Sequence, residues 1–341
     1  MCGTRRAQCC ALQTQSFKPM HTPRLLALSA TLLLGAAQAA TPYAATPFDV
    51  PDASSSFLYD INNVGSMVGY ATTASGSQSF VVSGGGVFNW LSGPAGSLNT
   101  TALGLSDTGV VVGAFSDTQV DDGSGNLVFG PNKGFILDAS GYSTVALTGY
   151  DETVVRAISP NGRYVTGYAS NATTWDGWML DRSTGNLTVI ASGLLVIAQG
   201  VRDDGVVVGS RIWQPAPATP TQREAFRFEA GVYTAFQLAG QTDTRARALS
   251  DDGLLAGWLR NGSDISAFFG SAADYSTVTW SGLQTYAEGL NNAGVGVGAY
   301  LDANDNWQAL VFNPVPEPAT YGLMLGGLGL LGATLRRRSP A

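Results

Sequence analysis

The chain has 341 residues, enough for one large domain or two small ones, and a net charge of −7. Its three cysteines (Cys2, Cys9, Cys10) and single histidine (His21) all lie in the first 21 residues, so no later segment can supply a thiol nucleophile, disulfide, imidazole base or Cys/His zinc site. From Thr41 to Pro314 there are 24 acidic and 11 basic residues, a net charge of −13 that disfavours attraction to nucleic acid or anionic lipid.

The N-terminal segment, residues 1–39, reads as upstream residues followed by an export signal. Met20-His21-Thr22-Pro23-Arg24 is a short basic start, which makes Met20 the expected initiator. Leu25–Gly35 is apolar, and Ala37-Gln38-Ala39 fits a small-x-small cleavage site at Ala37 and Ala39.

The body carries an internal repeat. "INNVGSMVGYA" from Ile61 returns as "LSDTGVVVGAF" from Leu105, "ISPNGRYVTGYA" from Ile158, "VRDDGVVVGSR" from Val201, "LSDDGLLAGWL" from Leu249 and "LNNAGVGVGAY" from Leu290. The first glycines (Gly65, Gly109, Gly162, Gly205, Gly253, Gly294) are spaced 44, 53, 43, 48 and 41 residues apart. The phrase predicts a hairpin, with glycine at a positive-φ turn position and a Val-rich return strand. The second glycine (Gly69, Gly113, Gly209, Gly257, Gly298; Gly167 one residue later) lets another backbone approach. "GVVVG" lacks the Lys-Ser/Thr ending of a phosphate loop.

An aromatic strand follows each phrase, at Phe80, Phe135, Trp178, Phe226, Phe268 and Phe312, and five copies add a fourth strand. Four short strands in about 45 residues describe a propeller blade. The sixth copy stops at Pro314 after three strands, and Thr46–Val50 is the expected fourth, joining the chain's ends. The expectation is an all-β protein: a six-bladed β-propeller of four-stranded blades over residues 46–314, closed by an N-terminal strand. A β-sandwich pair or an open solenoid has no use for that displaced strand.

The copies resemble the HAF repeat of bacterial extracellular proteins, "x-[ILV]-[NS]-x-x-G-x-V-V-G" followed by an aromatic "AF" strand. The resemblance spans about Phe48 to Pro314 and implies a surface location and propeller form, without a defined activity.

Two copies lengthen the connection between strands two and three, at Ser116–Lys133 and Gln214–Arg223, which marks that face as the expected binding surface. Trp175, Trp178 and Trp258 lie near it and read as aromatics packed between blades, with sugar stacking as the alternative. Asp117, Asp121 and Asp122, and Asp302, Asn304 and Asn306, are calcium candidates, though neither stretch completes a calcium loop, and no metal or cofactor is expected. Asp151, Glu152, Asp176 and Glu288 are the carboxylates a hydrolase would draw on, but nothing in the sequence pairs them. A non-catalytic role is therefore expected.

The tail, residues 315–341, runs Val315-Pro316-Glu317-Pro318-Ala319, an apolar stretch Tyr321–Leu335, then Arg336-Arg337-Arg338. As a helix that stretch would be about 22 Å long, short for a lasting membrane span. The arginines would hold its end in the cytoplasm. The three ordered parts resemble the PEP-CTERM sorting tail. That resemblance implies a transmembrane sorting helix, cleavage near Pro316-Glu317-Pro318 by the membrane protease exosortase, and a Gram-negative host making extracellular polysaccharide.

The expected partners are the export machinery, exosortase, the membrane through the tail and an extracellular polysaccharide, but no nucleic acid. The expected role is that of an envelope or matrix protein binding polysaccharide or protein. The alternatives are a carbohydrate-active enzyme using paired carboxylates and a calcium-stabilised adhesin.

Overall fold

The computed structural model describes residues 41–191, 195–213 and 222–316. The signal segment, the 214–221 loop, Glu317, Pro318 and the rest of the tail lie outside them. Among the described residues every regular element is a β-strand, and no helix is long and apolar enough to cross a membrane.

The turn phrase folds as its composition dictates. In the first copy Asn62 N donates to Ser66 O at 2.9 Å, and the Asn62 side-chain oxygen accepts from Ser66 N at 2.8 Å. Gly65 takes φ +79° at the turn, and the five equivalent glycines lie between +77° and +90°. The hairpin carries strand one (Ala53–Ile61) into strand two (Met67–Thr73), then strands three (Gly76–Val82) and four (Phe88–Leu91), all antiparallel neighbours.

The same order recurs along the chain. Asn99–Leu105, Val111–Ser116, Lys133–Asp138 and Gly141–Val145 form one four-stranded sheet, with Gln119–Asp121 and Leu127–Phe129 pairing as a separate two-stranded hairpin in its long connection, and the strands from Thr244 to Val278 form another four-stranded sheet. In another such sheet Thr285–Leu290, Gly296–Leu301 and Trp307–Pro314 are completed by Tyr43–Pro47, which pairs antiparallel with Trp307–Pro314. The closing strand thus begins three residues before the expected Thr46 and ends at Pro47. Val50 lies beyond it, buried against the first sheet.

The expectation of six separate blades needs correction. Four separate four-stranded sheets are present, whereas the third and fourth copies share one eight-stranded sheet. The link is a single parallel pairing, Trp175 with Leu195. Among the described residues, the fourth strand of copy three pairs along its neighbour as far as Gly177. A Cβ on Gly177 would lie 2.7 Å from Val196, so the next copy packs directly against that point.

The first strands of successive copies contact one another in turn, and Thr285–Leu290 contacts Ala53–Ile61, which closes the ring. Backbone there is in tight contact: a Cβ on Gly289 would lie 2.6 Å from Asp60 Cα. The sheets form a closed propeller held together by apolar side chains between their faces. Phe268, for example, is fully buried among Val208 and Ala225 of the preceding copy and Ala246 of its own sheet, and such burial contributes about 1.5–3 kcal/mol per side chain.

Candidate functional site

Each first strand carries a β-bulge at the same place. Register shifts fall between Leu58 and Asp60, Ala102 and Gly104, Val155 and Ala157, Ala198 and Gly200, Ala246 and Ala248, and Ala287 and Gly289. The skipped residues are Tyr59, Leu103, Arg156, Gln199, Arg247 and Glu288. A bulge leaves one residue outside the ladder and re-aims its side chain. All six line the axial cavity.

The second glycine of the repeat is tied to this bulge. Gly69 sits opposite Leu58, next to the bulged Tyr59. A Cβ there would lie 2.4 Å from the Phe57 carbonyl oxygen and 2.5 Å from the Phe80 ring. In five copies the strand-three aromatic pairs with this glycine. In the sixth, Leu310 holds that register opposite Gly298, and Phe312 lies two residues on.

The ring of six divides the axis into two compartments. On the turn side is a small cavity of about 60 Å³, bordered by Asp60, Asn63, Asp107 and Asn292. Hydrogen bonds between turns rim it: Asn292 N donates to Asn63 Oδ1 at 2.8 Å, and Asn63 N to Asp107 Oδ1 at 2.8 Å. Asp60 accepts from its neighbour Ile61 N at 2.9 Å and from Leu105 N of the next sheet at 3.0 Å. Burial nevertheless pushes its carboxyl up to about 7, with Asp107 adding to the rise.

On the opposite side the axis widens into a funnel of about 490 Å³, on the face carrying the connections between strands two and three. One wall is aromatic. Phe57 and Trp307, Tyr286 and Trp307, and Trp258 and Tyr286 meet edge to face, each with centroids 5.1 Å apart. Arg245 lies 3.9 Å over the Trp258 ring at the end of this arc. Adjoining it, the first sheet adds the hydroxyl-bearing residues Ser55, Tyr59, Tyr70 and Thr72, with Ser55 Oγ accepting from Trp307 N at 3.1 Å and the Tyr59 ring 4.8 Å from Phe57.

The floor is charged. Glu288 forms ion pairs with Arg247 and, at 3.7 Å, with Arg156, whose Nε also donates to Gln199 Oε1 at 2.9 Å. The Glu288 side chain is 4% exposed and those of the arginines 15–18%. Two guanidiniums therefore share one carboxylate. Burial, with Arg247 adding to it, lowers the Arg156 pKa. Arg247 Nε has no hydrogen-bond partner among the described residues.

The carboxylates singled out in the sequence do not converge. Asp151 is exposed. Glu152 accepts from Asn132 and Ser170, and Asp176 from the Tyr150 hydroxyl. Only Glu288 of the four lines the funnel. Trp178 is buried in the core, Trp175 stacks on Tyr168 at 5.0 Å, and Trp258 lines the funnel.

The acidic loops are tied up locally. Asp117 pairs with Lys133 at 2.7 Å. Asp121 and Asp122 accept backbone N–H groups of their own turn, as does Asp302 from Asn304 and Asn306. No cluster of three or more acidic residues that could hold a metal occurs among the described residues.

Of the sorting residues, only Pro316 is described, where it is exposed. Glu317, Pro318, Arg336–Arg338, Ala37 and Ala39 are outside the described residues. Sequence reasoning missed Tyr59, Arg156, Gln199 and Arg247. The signal was present, because each stands two positions before the apolar residue that opens a repeat phrase.

Several solved propellers are similar. TolB from Acinetobacter baumannii is 13% identical over 77% of this chain and 64% of its own, with TM-score 0.45, so this chain spans less than two thirds of its length. The β-propeller domain of the Trilobed protease from Pyrococcus furiosus is 11% identical over 78% and 84%, with TM-score 0.46. A catalytically inactive virginiamycin B lyase from Staphylococcus aureus with quinupristin is 12% identical over 80% and 100%, with TM-score 0.47. No curated protein sequence matches the chain. Residues 314–338 match the family model of the PEP-CTERM protein-sorting motif, which implies export, membrane anchoring during sorting and processing by exosortase, a membrane protease.

Proposed function

We propose that this chain is an exported, non-catalytic binding propeller of the cell envelope, released to the surface or matrix after its tail is cut near Pro316-Glu317-Pro318. The sorting motif at 314–338 carries the export part of this reading. The signal-like segment with Ala37 and Ala39, and the resemblance to HAF repeats, point the same way. In this reading the eight-stranded sheet works as two blades, six in all, because each of its halves has its own bulged first strand.

The binding role rests on the funnel. It has the volume of a small-ligand pocket, with aromatic walls and few polar groups at its floor. Hydrolysis by paired carboxylates needs two such groups flanking the bond. Among the described residues Glu288 is the only carboxylate lining the funnel, and two arginines already hold it.

Expression in a host with exosortase, followed by fractionation and intact-mass measurement, tests the sorting reading. The expected product lacks Arg336–Arg338, and replacing residues 316–318 by alanines leaves the protein in the membrane fraction. A secreted protein that retains those arginines would overturn it.

A further inference from the structure

We propose that the funnel is a binding site for an acidic sugar unit, whose carboxylate is taken by Arg247 and Arg156 and whose ring face lies against Tyr286 and Trp307. This deepens the binding role proposed above and rests on it.

The charge balance at the floor comes first. Two guanidiniums, each less than one-fifth exposed, share the single carboxylate of Glu288. One positive charge is left without a counter-charge in a partly dehydrated site, which is costly unless an anion joins it. Arg247 Nε is itself buried and has no partner among the described residues, so the guanidinium is incompletely satisfied. The surplus is local and opposite in sign to the body's net charge of −13. General stickiness towards anions therefore does not explain it.

The walls narrow the chemistry further. On one side Tyr286 and Trp307, partly exposed and backed by the buried Trp258, present apolar ring surface suited to the C–H face of a pyranose. Beside it the first sheet offers the hydroxyls of Ser55, Thr72, Tyr59 and Tyr70, which can exchange hydrogen bonds with sugar hydroxyls. A cationic floor, an apolar ring surface and a group of hydroxyls together match an acidic sugar unit, which carries a complement to each. Because the body is acidic, a long polyanion is repelled at a distance. The fit is to one or two acidic units at a time, and added salt should weaken binding little.

The test is calorimetric titration of the full chain with tetramers of galacturonate, glucuronate and mannuronate, each beside its methyl ester, which removes the charge and keeps the ring. At least one acid is expected to bind, with its ester at least tenfold weaker. Arg247→Gln should weaken the acid at least tenfold and leave the ester unchanged, whereas Trp307→Ala should weaken both. Thermal melting controls for folding, and if Arg247→Gln does not fold, the acid–ester comparison on the unaltered chain decides. Equal binding of acid and ester, or no binding by any of the three acids, overturns the inference. If a neutral glycan or a protein binds instead, the acidic-sugar inference falls while the binding role proposed above stands. If the chain binds none of these, both fall.

Discussion

Arg247 and Glu288 pair across the seam between neighbouring sheets, each at the bulge of its own first strand. Glu288→Gln would remove the only negative charge at the funnel floor and leave Arg156 and Arg247 facing each other. The expected loss is about 3–5 kcal/mol, as for a buried ion pair stripped of one partner. Urea unfolding measures it. A companion change of Arg247 to Met should recover part of the loss, since it removes the repulsion.

Asp60 should impose a pH dependence. Its carboxyl is raised from 3.8 to about 7, mainly by burial, so the folded chain keeps a proton that the unfolded chain releases. This contribution is full below about pH 4 and is lost as pH rises to about 7. Asp60→Asn should flatten the slope in that window and make the protein more stable than the parent at pH 8. The gain is at most about 4 kcal/mol at about 1.4 kcal/mol per pKa unit. Melting temperatures of both proteins from pH 4 to 8 provide the comparison, and parallel curves would remove Asp60 from the account.

The two glycines of the repeat should respond differently to alanine. At Gly109 a Cβ meets nothing within 4 Å, so the cost is that of φ +83°, about 1 kcal/mol. At Gly113 the Cβ would lie 2.0 Å from the Thr101 carbonyl oxygen and 2.8 Å from the Phe135 ring. Backbone must move there, and a loss of about 3 kcal/mol or more is expected. Chemical denaturation of the two variants gives the ranking.

Deleting Tyr43–Pro47 should destabilise the whole ring. The strand supplies the ladder to Trp307–Pro314, and the Tyr43 ring stacks on Phe269 at 4.0 Å. A loss above about 3 kcal/mol is expected, comparable with removing a buried aromatic. If the truncated protein melts with the parent, closure does not depend on this strand.

Calcium and chelator should leave the melting temperature unchanged. Asp121, Asp122 and Asp302 already accept the N–H groups of their own turns. A rise of several degrees with calcium would place a ligand in one of these loops.

The fold was legible because the repeat writes its turn chemistry into the chain. Asn62-Asn63-Val64-Gly65 and its copies announce a hairpin, and Gly69 announces a close approach. What approaches is a bulge, and a bulge has no residue signature of its own. The side chains it aims inward (Tyr59, Leu103, Arg156, Gln199, Arg247, Glu288) share no chemistry, so only their fixed place two positions before each phrase links them. Glu288 stood out as a lone acid in the sequence, but its two arginines lie 132 and 41 residues away. The fusion of copies three and four was likewise invisible, since it rests on one parallel pairing, Trp175 with Leu195.

Val315 N donates to Pro42 O at 2.8 Å, just past the ladder that unites Tyr43–Pro47 with Trp307–Pro314. In the export reading proposed above, the strand that crosses first waits for the strand that crosses last. Its partner would emerge only with the sorting motif, so the ring would not shut until nearly the whole body had crossed the membrane. Until then Tyr43–Pro47 itself would stand unpaired and open to pairing with other chains. In that reading completion of folding and presentation of the cleavage site would be one event in time. A protease acting at that site would release bodies that have already closed.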